Sequence, residues 1–229
     1  MERTEQALRS VPLFSELTDE DLGALAQVTV AKRFPKENLI VLAEDEGNSL
    51  FVIVTGRVRV SITSEDGREI ILSLLSDGEC FGEMSLLDGQ PRSATVTAAS
   101  DTEGLMLRRQ DFLRLLEQVP QIGIKLLSVL TGRLRRADRK IESLALLDVP
   151  SRVVVTLLQL AEDQGKLTDG GILVENGPTH QELANMVGTT RETVSRVLKR
   201  LEQQGFIETV GRHLKLSELE ALRSEYQLP

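Results

Sequence analysis

One stretch, Phe81-Gly82-Glu83-Met84-Ser85-Leu86-Leu87-Asp88-Gly89-Gln90-Pro91-Arg92-Ser93-Ala94, concentrates the residue types that hold an anionic, hydroxyl-bearing ligand. Gly82 permits a backbone turn that a Cβ would obstruct. Glu83 is an acceptor able to take a ribose 2′-hydroxyl, as acidic residues do in dinucleotide sites. Arg92 and Ser93 add a guanidinium, a hydroxyl and exposed amides, a phosphate-binding set. A second stretch, Thr190-Arg191-Glu192-Thr193-Val194-Ser195-Arg196, puts Arg191, Glu192, Ser195 and Arg196 on one side of a helix. An arginine there can fork onto guanine O6 and N7, and a glutamate can accept from cytosine N4.

No comparable set supports catalysis, so no catalytic residue is assigned. Cys80 is the only cysteine. It has no nearby histidine in sequence and reads as a small core residue. One cysteine forms no internal disulfide and no cysteine-clustered metal site, which fits a reducing cytoplasm. His180 and His213 are the only histidines, and no metal-ligand spacing occurs, so no metal is expected. There is no apolar run of about 18 residues. The start MERTEQALRS lacks an apolar signal core, so neither a membrane span nor a secretory signal is expected.

The elements that must position these two stretches differ in texture. Thr18 can cap a short helix to about Ala26. From Val30 to Leu107 short β-branched runs dominate: Leu39–Leu42, Leu50–Val54, Val58–Ile62 and Ile70–Leu74. Gly47, Gly56, Gly67, Gly78 and Gly89 punctuate them, the pattern of a compact antiparallel sandwich or barrel. Arg57, Arg59 and Ser61 alternate with Val58, Val60 and Ile62, which predicts a strand with one wet face. Asp111 can cap a helix that Pro120 ends. A glycine-poor run from Gln121 to Leu147 then places Leu126, Leu130, Leu134, Ala137, Ile141 and Leu144 on one narrow seam. Such a seam predicts a helix packed against a copy of itself. The alternative is a helix lying on its own sheet.

Asp148-Val149-Pro150 reads as a hinge, since proline restricts its predecessor. Ser151–Glu162 reads as a helix and Gly170-Gly171 as a turn. Thr179–Gln204 reads as two helices joined at Gly188, with Leu183, Val187, Val194, Val197 and Leu201 between them. Thr179 and Glu182 fit a capping box, and Thr189 or Thr190 can cap the second helix. Ile207–Val210 and His213–Leu216 then form a hairpin around Gly211-Arg212. The block is a winged helix-turn-helix pattern, whose second helix enters a DNA major groove. The net charge of −8 argues against that partner only in bulk. Residues 148–229 carry 9 basic and 12 acidic side chains, yet Gly188–Lys215 carries 6 basic against 3 acidic.

With GEMSLLDGQPRSA, LALLDVPSR and TRETVSR in one chain, the sequence resembles the cyclic-AMP receptor protein / fumarate-nitrate regulator superfamily of bacterial transcription factors, closest to the cyclic-AMP branch. The resemblance covers nearly the whole chain. It implies an α+β fold with an antiparallel β-roll over residues 1–120, a dimerisation helix over 121–147 and a winged helix-turn-helix over 148–229. It also implies a cytoplasmic homodimer on double-stranded DNA, with RNA polymerase as a protein partner, no membrane, and cyclic AMP as allosteric effector.

Carried over by resemblance, Gly82 and Glu83 contact the ribose, and Arg92 and Ser93 the cyclic phosphate. Arg133 lines the pocket, and Met84, Ala94 and Leu72 complete the expected lining. Arg191, Glu192 and Arg196 match base-reading residues that favour a TGTGA-like half-site, while Ser195 is closer to the fumarate-nitrate branch. Thr179 and Gln181 match phosphate contacts, and Thr190 and Lys199 join the expected DNA-facing set. One cysteine cannot ligate a four-iron cluster, so the iron–sulfur branches are excluded. Haem is not expected either, since both histidines lie in the DNA-binding segment. The main departure is Ala137-Asp138, where the cyclic-AMP branch has a Thr-Ser pair that holds adenine. A lost buried hydroxyl contact costs about 1–3 kcal/mol, roughly 5- to 150-fold in affinity. The alternatives are therefore weak cyclic AMP binding, a response to cyclic GMP or cyclic di-GMP, or a vestigial pocket on an effector-independent regulator.

Overall fold

The computed structural model describes residues 2–226, which fall into two compact units divided between Leu134 and Arg135. The first unit opens with α1 (Glu2–Arg9), a single 3₁₀ turn at Pro12–Phe14 and α2 (Asp19–Val28). Thr18 caps α2 as expected: its Oγ1 accepts from Asp21 N at 3.2 Å, and Asp21 accepts in return from Thr18 N at 3.3 Å. The strands β1 (Thr29–Phe34), β2 (Leu39–Val41), β3 (Ser49–Thr55), β4 (Val58–Thr63), β5 (Glu69–Leu75) and β6 (Cys80–Phe81) follow. Then come α3 (Glu83–Asp88), β7 (Thr95–Ala98), β8 (Thr102–Arg108), α4 (Arg109–Gln118) and α5 (Pro120–Leu146). The last of these continues past Leu134 into the second unit.

Two antiparallel sheets build the roll, in the orders β1-β8-β3-β6 and β2-β7-β4-β5. Strand β3 explains why its sequence shows no alternation. Phe51 and Ile53 face a core shared with Val41, Val58, Leu75 and Val96 of the other sheet. Leu50 and Val52, pointing the opposite way, pack with Phe14, Leu22, Phe112, Ile122 and Leu126 of the helices. Both faces are covered, so the strand is apolar throughout.

Three expectations are corrected here. Ser61 is buried and Ile62 exposed, the reverse of the predicted wet face. Val60 pairs with Ser73 and Ser61 with Ile71, so Leu72 is left over as a bulge and every position beyond it turns over. Asp111 does not cap α4: the N-cap is Arg108, without a side-chain bond, and Asp111 sits in the first turn. The predicted seam on α5 belongs to two different faces. Leu126 is buried in the protein's own core and Leu130 packs against it. The exposed apolar row is instead Ile124, Leu127, Leu134 and Ile141, with Thr131, Asp138 and Ala145 completing heptad spacing.

The second unit holds the end of α5, then α6 (Val149–Gln164), β9 (Gly165–Thr168), β10 (Gly171–Val174), α7 (His180–Val187), α8 (Arg191–Gln203), β11 (Ile207–Val210), β12 (His213–Leu216) and α9 (Leu219–Glu225). Its sheet runs β11-β12-β10-β9, so the β9–β10 hairpin extends the predicted wing to four strands. Val153, Leu157, Val174, Leu183, Val187, Val194, Val197, Leu201 and Leu216 form its core.

Asp148 is the cap of α6, accepting from Ser151 N at 2.9 Å, and Ser151 holds its carboxyl below the usual range. A carboxyl with a lowered folded-state pKa stabilises above its unfolded value, and that stability is lost as pH falls through the folded one. Asp148→Ala should therefore cost about 1 kcal/mol at neutral pH, with the gap to the unsubstituted protein closing on acidification below about pH 4. Urea melts at several pH values measure it, and a constant gap would contradict the cap.

Candidate effector site and nucleic-acid interface

Gly82 ends β6 and starts α3 in the left-handed region, φ 85°. A Cβ at this position would sit 2.5 Å from Arg92 Nη1 and 2.8 Å from Ser49 O, so the turn and the arginine both require glycine. Arg92, 5% exposed, donates from Nη1 to Gly82 O at 2.9 Å and from Nη2 to Ser49 O at 2.8 Å and Ser49 Oγ at 3.2 Å. A guanidinium has five N–H donors, so two are left for an anion. Burial pulls the Arg92 pKa down, and the charge of Glu83 works against that.

Glu83 is 2% exposed and pairs with Arg133 of α5, Oε1 to Nη1 at 2.6 Å. Arg133 also donates from Nη2 to Cys80 O. Two atoms of this pair, Glu83 Oε2 and Arg133 Nε, are buried without a hydrogen-bond partner among the described residues. Buried polar atoms are normally satisfied, so one spare acceptor and one spare donor beside Arg92 mark a place built for a polar ligand. Cys80 is inert here: burial, and then the Glu83 charge, push its thiol up to about 12.

The structure thus brings together Gly82, Glu83, Arg92 and Arg133. Ser93 is exposed, with Oγ 3.6 Å from Met84 Sδ, and Ala94 is buried. Leu72 is the exposed bulge residue on β5. Ala137 and Asp138 lie on the part of α5 that belongs to the second unit, both exposed. Ser49 is a contact the sequence did not suggest, because it acts through backbone and hydroxyl far upstream of the motif.

At the other site, Thr179 and Glu182 form the capping box of α7, with Thr179 Oγ1 accepting from Glu182 N at 3.2 Å and Glu182 from Thr179 N at 2.7 Å. Gly188, at φ 75°, makes the left-handed turn out of α7. Thr190, not Thr189, caps α8. Arg191, Glu192, Arg196 and Lys199 are exposed along α8, and Arg196 donates to Thr193 Oγ1 at 3.1 Å. Glu192 is held below the ordinary carboxylate range by its own backbone amide and then by Thr190, so it is an acceptor at neutral pH. Gln181 is exposed and bonded to Asn185 at 2.8 Å. Ser195 is half-buried with its Oγ 2.8 Å from His180 Nδ1, which withdraws the hydroxyl from the expected row. On the wing, Arg212 donates to Gly177 O at 3.1 Å and lies 3.8 Å from Glu182.

Comparison with known proteins matches residues 31–119 to the cyclic nucleotide-binding domain and residues 151–225 to the Crp-like helix-turn-helix domain. A cyclic AMP receptor protein of Thermus thermophilus is 37% identical over 204 residues, 87% of this chain and 89% of that protein. The chain belongs to the cyclic-AMP receptor protein / fumarate-nitrate regulator superfamily. Among solved structures, a CooA mutant from Carboxydothermus hydrogenoformans superposes with TM-score 0.82 at 28% identity, covering 97% of this chain and 99% of that one.

 The c-di-GMP-responsive regulator CLP of Xanthomonas campestris superposes with TM-score 0.75 at 26% identity, over 87% of this chain and 99% of that one. The α+β architecture and the pairing of a cyclic-nucleotide domain with a helix-turn-helix are those of this superfamily. Its members are transcription regulators, and this chain is a DNA-binding regulator with a cyclic nucleotide domain. Among the described residues no helix is long and apolar enough to cross a membrane.

Proposed function

We propose that the protein is a cytoplasmic homodimer that binds palindromic DNA with TGTGA-like half-sites and is switched by a cyclic nucleotide, foremost cyclic AMP. The buried Glu83–Arg133 pair carries this reading, with Oε2 and Nε unpartnered beside the two spare N–H groups of Arg92. A ribose 2′-hydroxyl can donate to that carboxylate, and a cyclic phosphate can take the guanidinium donors. Gly82, Met84, Ser93, Ala94 and Leu72 complete the nucleotide-facing set. Dimerisation uses the exposed row Ile124, Leu127, Leu134 and Ile141, whose heptad spacing suits a second copy of the same helix. Thr179, Gln181 and Thr190 serve the phosphates, Arg191, Glu192 and Arg196 the bases, and Lys199 adds charge at the backbone. Bound to DNA, such a dimer engages RNA polymerase.

A ligand shifts the protein between states only through unequal affinity for them. Calorimetry against cyclic AMP, cyclic GMP and cyclic di-GMP, paired with anisotropy of a labelled palindrome, tests both halves of the reading. Saturable heat with cyclic AMP and tighter DNA binding in its presence are expected. DNA affinity indifferent to every nucleotide would sink the gating.

A second reading is favoured by Asp138, which is exposed and accepts hydrogen bonds where a hydroxyl would both donate and accept. It gives the effector as cyclic GMP or cyclic di-GMP, in keeping with the likeness to the Xanthomonas regulator. Heat with one of those nucleotides and none with cyclic AMP is its signature.

A further inference from the structure

Among the described residues, Met84 is the one methionine that lies open to solvent, 48% exposed at the second position of α3. Met106 on β8 and Met186 on α7 are half-buried and pack against the cores of their own units. Ser93 Oγ donates to the Met84 sulfur at 3.6 Å, which ties the thioether to a hydroxyl assigned to the cyclic phosphate. The start of α3 turns Glu83, the ribose acceptor, inward and leaves Met84 outside. A thioether is a weak acceptor, so the hydroxyl gives it up readily for a charged phosphate oxygen. The other sulfur of this unit is closed to such chemistry. Cys80 is buried, and burial and then the Glu83 charge push its thiol up to about 12.

We propose that Met84 is a reversible oxidation site, and that its sulfoxide weakens the hold of the pocket on its effector. The inference rests on Glu83, Arg92 and Ser93 being the nucleotide-binding set. A lone pair of the Met84 sulfur attacks one oxygen of hydrogen peroxide, and the O–O bond breaks. The departing hydroxide takes the proton of the transferred oxygen and leaves as water. Sulfur thus loses two electrons, and the peroxide gains them. A flexible apolar side chain becomes polar, and its new oxygen is a stronger acceptor than the thioether was. The sulfoxide keeps the Ser93 hydroxyl for itself, away from the phosphate. Its oxygen also sets partial negative charge beside the place of an anionic group. Both effects oppose the effector, while the buried Glu83–Arg133 pair and the Arg92 contacts stay as they are. Enzymatic reduction of the sulfoxide returns the thioether and with it the original pocket.

The test treats the full-length protein with hydrogen peroxide in steps, and peptide mass spectrometry follows each methionine. Met84 should gain its oxygen before Met106 and Met186, with the thermal melt unchanged. Calorimetry then uses whichever of cyclic AMP, cyclic GMP and cyclic di-GMP gives heat with the untreated protein. Affinity should fall about tenfold or more as Met84 is oxidised, the size of one lost hydrogen bond to a charged group. Methionine sulfoxide reductases for both epimers, supplied with dithiothreitol, should restore it, and dithiothreitol alone should not. The double variant Met106→Leu/Met186→Leu should respond to peroxide as the parent does. Met84→Leu should show one affinity before and after treatment, whatever its value. Full conversion of Met84 with the affinity unmoved overturns the proposal alone. So does a loss that dithiothreitol repairs unaided, or a Met84 that oxidises after the other two. Heat from no nucleotide before treatment overturns the effector reading, and this inference with it.

Discussion

Arg133→Met is expected to destabilise the first unit by about 3–5 kcal/mol, more than any single surface change. The methionine keeps the apolar stem but leaves Glu83, 2% exposed, without its cation. It also removes the donor to Cys80 O. A buried carboxylate stripped of its partner pays its desolvation uncompensated, and that asymmetry makes the single change severe. Adding Glu83→Gln should recover a large part of the loss, because the uncompensated charge disappears with it. Denaturant melts of the two single variants and the double variant decide the matter. Additive losses would mean that the pair is not coupled.

Arg92→Ala is expected to abolish measurable nucleotide binding. Hydrogen bonds to charged groups contribute about 1.5–3 kcal/mol each, so losing two donors to a phosphate lowers affinity by roughly 10²- to 10⁴-fold. The same change orphans Gly82 O and Ser49 O, so a stability loss of about 1–3 kcal/mol accompanies it. Arg92→Lys separates the two effects. It returns the positive charge without the fork, and so should improve on alanine only partly. Calorimetry with the nucleotide that the parent protein binds reads the affinity, and a thermal melt confirms that the variant is folded. Parent-like heat from a folded Arg92→Ala would remove Arg92 from the pocket.

What was legible in the sequence was mostly local. The Thr179–Glu182 capping box and the Gly188 turn each depend on residues within one turn of one another, and the structure has them where the spacing put them. The bulge at Leu72 was hidden, because register depends on a partner strand and one extra residue reverses every later side chain. On α5, apolar residues occupy two adjacent faces, and spacing alone cannot say which face meets the protein's own core. The core took Leu126 and left Ile124 and Leu127 exposed. Glu83–Arg133, Arg92–Ser49 and His180–Ser195 join positions far apart in the chain, so their types were visible and their partnership was not.

The pairing of β1 with β8, from Thr29 opposite Leu107 to Phe34 opposite Thr102, also sets an order of events during synthesis. Among the described residues β1 is the edge strand of its sheet and pairs with β8 alone. At about 5–20 residues per second, a ribosome that has just made Thr29 needs roughly 4–16 s to reach Leu107. Until then β1 has no strand to join and β3 lacks one of its two flanks. The β1-β8-β3 side of the roll therefore completes late, and a nascent chain stalled before Arg108 presents unpaired strand edges to whatever surrounds it.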